Sequence, residues 1–162
     1  MTMLEMVIAT TMLTAVLTTV SVVMRTGRGA WEAHESDFTR LEAAHATVRH
    51  IVRSARQAES IVAVTSQGNP AGSLSVQMPD GQTLVWSRNG ADNSVLFGAG
   101  AADQLLADGI TQLTFQGYRA DGLTATNTVS QIQCLLVTAS VNLARDGSPS
   151  RTVRSWVTIR TW

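Results

Sequence analysis

The chain has 162 residues, no formal net charge, 12 basic residues that are all arginine, and one cysteine. Without a basic tract, no nucleic-acid or anionic-surface partner is expected, and a single cysteine excludes a disulfide within these residues. The residues from the fifties onward, about 100 of them, suffice for one small core once the apolar start is set aside. That start, Met1 to Met24, is apolar or small throughout and carries one full charge, Glu5. About 20 apolar residues span a bilayer, and a carboxylate inside such a span is costly enough to require a partner. Close to the chain start, a terminal ammonium is the obvious one. A secretory signal would place basic residues ahead of a short apolar run, whereas here none precedes Arg25 and the run is too long. A plain membrane anchor fits the length and leaves Glu5 unexplained. Thr10, Thr11, Thr14, Thr18 and Thr19 interrupt the apolar pattern, and their hydroxyls are expected to bond back to carbonyls one turn earlier.

No proline occurs between Met1 and Ala58, and the pattern is helical throughout. Gly27 and Gly29 together cost about 2 kcal/mol of helix propensity, so any bend or break in the helix is expected there. From Trp31 the helix turns amphipathic. Phe38, Leu41, Ala44, Val48, Ile51, Val52 and Ala55 recur at three- and four-residue spacing, with arginines on other faces, so this stripe is expected to pack on a sheet.

Beyond Glu59 the period changes to two. Strands are expected at 60–65, at 74–78 and 83–87 around the turn Pro79-Asp80-Gly81-Gln82, at 94–97, at 111–118 after Asp108-Gly109, at 132–143 and at 151–162. Cys134 lies in an apolar run and is expected in the core. The three histidines, His34, His45 and His50, lack the i, i+4 spacing of a metal pair and are expected on the surface or at a subunit contact. The acidic residues beside glycines are expected to serve turns, and no metal, cofactor or catalytic constellation is indicated.

The start Met1-Thr2-Met3-Leu4-Glu5-Met6-Val7-Ile8-Ala9 resembles the mature amino terminus of type IV pilins and type II secretion pseudopilins. Those begin with a hydrophobic residue, usually Phe where this chain has Met1, followed by Thr, two hydrophobics and Glu. Ala55-Arg56-Gln57-Ala58 and the run Leu105-Leu106-Ala107-Asp108-Gly109-Ile110 further resemble J-type minor pseudopilins and W-type minor pilins.

The resemblance implies an α+β, type IV pilin-like fold: a membrane-spanning or filament-core helix over 1–25, an amphipathic helix over 26–58 and a β-rich head over 59–162. Leu41, Val48, Ile51, Val52 and Ala55 would join helix to head, and Gly27 and Gly29 would take the break. It implies a structural filament subunit rather than an enzyme, assembling by pairing Glu5 with the amino group of a neighbour's Met1. Its expected partners are other pilin or pseudopilin subunits, an inner-membrane assembly platform, and a prepilin peptidase that removes a basic leader and leaves a methylated amino terminus. The head would be periplasmic before assembly. Arg25 and Arg28, just past the span, oppose that orientation unless such a leader precedes Met1. The alternative is a periplasmic binding or sensing module on an ordinary single-pass anchor.

Overall fold

A computed structural model of the chain describes residues 2–66, 68–143 and 150–159. The fold is α+β: one long amino-terminal helix, α1 (Met3–Gln57), packed on antiparallel sheets. The chain divides into two compact units, 1–36 and 37–162.

The first unit, among its described residues, is helix from Met3 onward. Thr10, Thr11, Thr14, Thr18, Thr19 and Thr26 each donate a hydroxyl hydrogen bond to a carbonyl four residues back, at 2.6 to 3.1 Å. These bonds hide polar hydrogens inside an apolar segment, as the sequence led us to expect. The helix continues through Gly27 and Gly29, so the expected break is absent from the single chain. Isolated glycines lower propensity but keep every backbone donor and acceptor, and helix formed on either side propagates through them. The exposed pair Arg28–Glu32, with Nε to Oε1 at 2.8 Å, spans the same turn.

The second unit joins the end of α1 to two sheets. Five strands form one antiparallel meander: β1 (Ser60–Val64), β2 (Ser73–Gln77), β3 (Thr83–Arg88), β4 (Val95–Ala99) and β5 (Gln104–Ala107). Three form the other: β6 (Ile110–Tyr118), β7 (Cys134–Val141) and β8 (Arg151–Thr158). The sequence led us to expect one sheet. Instead Gly109, at φ +78°, turns the chain out of the first meander and into the second. The sheets meet where Gly72 N–H donates to Leu113 O at 2.8 Å and Leu113 N–H donates to Pro70 O at 3.0 Å.

The expected β2–β3 hairpin is present, with Gly81 at φ +83° and Asp80 Oδ1 accepting the Gln82 N–H at 3.0 Å. The expected terminal strand is described as β8 to Thr158, and Arg160, Thr161 and Trp162 lie outside the described residues.

One core serves both sheets. Ala44, Val48, Ile51, Val52 and Ala55 of α1 cluster with Leu74, Val76 and Trp86 of the first sheet and with Leu113, Phe115, Leu135, Val137 and Val157 of the second. Leu41 packs against this cluster half-buried. Phe38 departs from the expected stripe: it is 68% exposed, because the covering strands reach α1 only from Leu41 onward. Cys134 also departs. Alternation along β7 turns Leu135 inward, which leaves Cys134 half-buried on the opposite face, with Sγ 4.0 Å from Thr158 Oγ1.

Candidate functional site

The candidate site is the start of α1, and its geometry begins with a cap. Thr2 precedes the first helical residue, and its hydroxyl accepts the Glu5 N–H at 3.4 Å. In return, Glu5 Oε2 accepts the Thr2 N–H at 2.8 Å. This is a reciprocal capping box, in which a carboxylate three residues into a helix satisfies an amide that would otherwise lack a partner. Its signal, Thr-x-x-Glu at the head of an apolar helix, stands in the sequence. The pairing of Glu5 with a neighbour's amino group, expected from the sequence, does not include this local role. The negative charge also sits favourably at the positive end of the helix dipole. Met1, the other residue expected at this site, lies outside the described residues.

The cap holds one carboxylate oxygen. Among the described residues Oε2 alone is engaged, and the side chain is exposed at the helix end. A positively charged group can therefore approach without dismantling the cap.

The helix that follows has a segment long and apolar enough to cross a membrane, and none of that segment is buried within the chain. Every large apolar side chain from Met3 to Met24 is exposed, thirteen in all. Full burial of such a side chain is worth about 1.5–3 kcal/mol, so the segment holds roughly 20–40 kcal/mol of burial that the chain alone does not realise. An exposed apolar surface of that extent marks a contact with a membrane or with other protein.

The other candidate residues fall elsewhere. Leu41, Val48, Ile51, Val52 and Ala55 belong to the head's core, while Gly27 and Gly29 face open space. His34 and His45 are exposed. His50 corrects the expectation of a surface position: it is half-buried between Trp86 and Phe97, with its ring centroid 4.8 Å from that of Phe97. Burial, then the neighbouring Arg53 charge, holds its pKa below the usual 6.5.

Among the described residues no group of three or more His, Cys, Asp or Glu side chains could hold a metal ion. Asp80, Asp92, Asp108 and Asp121 each accept a hydrogen bond within their own loop or turn, and Asp146 lies outside the described residues. Asp121 shows this most clearly, because hydrogen bonds from the Thr124 hydroxyl and from the Thr124 and Leu123 amides bring its pKa down to about 2.

No family model, curated protein or solved structure matches this chain.

Proposed function

We propose that this chain is a structural subunit of a type IV pilus-like or type II secretion filament, a pilin or pseudopilin of the minor kind. The observation that carries the reading is the exposed apolar helix with one carboxylate at its head. The helix is solvated by lipid before assembly and buried against like helices afterwards. Such a contact repeats without closing on itself, so it grows into a helical polymer with the heads outside.

Glu5 sets the register of that polymer. As each helix enters an apolar bundle, its carboxylate must be neutralised, and the amino group of a neighbour's Met1 supplies the opposite charge. The capping box keeps the Glu5 side chain folded back at the helix start, so the carboxylate is held in place before the neighbour arrives.

The rest of the reading follows from the resemblance. The subunit starts as a single-pass inner-membrane protein with a periplasmic head, is matured by a prepilin peptidase to a methylated amino terminus, and is extracted by an assembly platform. Cysteine cross-linking tests the reading. A cysteine at Leu13 or Leu17, in a Cys134→Ser background, leaves one thiol per chain and should give covalent dimers in membranes and filaments. Strictly monomeric protein would favour the alternative, a binding module on an ordinary anchor.

A further inference from the structure

A groove of about 660 Å³ lies between the last turns of α1 and β8. Arg49, Arg53 and Arg56 follow at i, i+4 and i+7 along one face of α1, and Arg154 closes the groove from β8. Val48, Val52 and Val153 add apolar lining, and no carboxylate lines the groove among the described residues. The sequence reading noted the helix arginines only as a polar face, because Arg154 is brought to them by the fold.

These four guanidiniums differ from others in the chain. Arg28 pairs with Glu32, Arg40 donates to Asn142 O, Arg88 donates to Ile110 O and Asn93, and Arg119 donates to Gln131. Among the described residues, Arg49, Arg53, Arg56 and Arg154 have no hydrogen-bond or ion-pair partner. A chain of zero net charge has thus gathered around one concavity four cations that are unpaired among the described residues. Like charges at this spacing repel one another, so a ligand of opposite sign lowers the free energy of the arrangement itself.

The backbone adds a second requirement. β8 is the last strand of its sheet and bonds only β7 among the described strands. In an antiparallel ladder, alternate residues direct their N–H and C=O to the neighbour and the rest direct them away. The bond from Ile159 N–H to Gln133 O at 2.9 Å fixes the phase. By alternation, the backbone groups of Arg154 and Trp156 face the open edge. An open edge is a template for another strand.

We propose that this groove docks an extended acidic segment of another protein, which adds as a strand to the edge of β8 and sets carboxylates against Arg49, Arg53, Arg56 and Arg154. Main-chain bonds to the edge provide affinity, and the guanidiniums select acidic side chains. Valine lining on both walls favours small apolar residues between the acids. A nucleic acid fits less well: it offers no strand to the edge, and the cations form one local cluster rather than a track along the surface. The proposal is independent of filament assembly, since it can hold or fail in a monomeric head.

Fluorescence anisotropy with the full chain in detergent micelles tests it. The probe is a labelled peptide of alternating Glu and Val, about eight residues long. We expect saturable binding that weakens at least about tenfold in the double variant Arg49→Glu, Arg56→Glu, and that weakens as the ionic strength is raised. Arg154→Gln, on the other wall, should weaken it as well. With the wild-type protein, a peptide in which proline replaces alternate residues should lose binding, because it cannot donate to a strand edge. Melting by circular dichroism confirms that each variant is folded. The proposal is overturned if the peptide does not bind, if folded arginine variants bind it equally, if the proline peptide binds as well, or if a single-stranded oligonucleotide binds more tightly through the same arginines.

Discussion

Trp86 Nε1–H donates to His50 Nδ1 at 3.2 Å, joining β3 of the head to α1 across 36 residues of sequence. An indole nitrogen only donates, so Nδ1 must be the acceptor and the proton of the neutral ring sits on Nε2. Trp86 is fully buried, and Phe97 packs edge-on to His50 and tilted against Trp86.

This contact predicts an acid-sensitive joint. The folded state lowers the His50 pKa below 6.5, so near neutral pH both folded and unfolded states hold it uncharged. As pH falls through the unfolded value, near 6.5, the unfolded chain takes up the proton first, and stability is lost until pH passes the lower folded value. Protonation at Nδ1 also removes the acceptor for Trp86. Thermal melts at pH ~7.5 and ~5.5 should therefore show a larger drop for the wild type than for His50→Leu. Equal drops would contradict the assignment.

Much of this joint was hidden in the sequence, and the reason is physical. Periodicity reports which face of an element is apolar, so the stripe Val48, Ile51, Val52 and Ala55 and the hairpin at Gly81 were legible. Periodicity does not report what lies opposite. His50 depends on Trp86, and Arg49 depends on Arg154, so neither role could be read locally. The division into two sheets was missed because it turns on one backbone angle at Gly109. The cap at Thr2 and Glu5, by contrast, is written locally in the Thr-x-x-Glu spacing and needs no distant partner.

Gly72 should tolerate no side chain. A Cβ there would stand 2.3 Å from Leu113 O, at the point where the two sheets are joined by backbone hydrogen bonds. Gly72→Ala should cost about 1–3 kcal/mol by overpacking. Gly27→Ala, where a Cβ meets nothing within 4 Å, should instead be neutral or stabilise by up to about 1 kcal/mol. Urea denaturation of both variants checks the pair, and an unperturbed Gly72→Ala protein would contradict the close approach.

The head should fold by itself. All members of the core cluster lie between Ala44 and Ile159, so a fragment of residues 37–162 retains the whole core. It should remain soluble and melt cooperatively with a mixed helix and strand spectrum. Precipitation or a non-cooperative melt would mean that the first unit stabilises the head.

Glu5 provides the most direct measurement, because one substitution separates its two roles. Glutamine at this position keeps an oxygen to accept the Thr2 N–H, as capping boxes allow, but carries no charge. Removing one partner of a buried ion pair costs about 3–5 kcal/mol, more than about 100-fold in an assembly equilibrium. The measurement is the fraction of subunit recovered in sheared, sedimented filaments for wild type, Glu5→Gln and Glu5→Ala, with membrane insertion checked in parallel. The account predicts that both variants insert normally and that both are nearly absent from filaments. Glu5→Gln assembling at the wild-type level while Glu5→Ala fails would contradict it, because the cap alone would then explain why the glutamate is there.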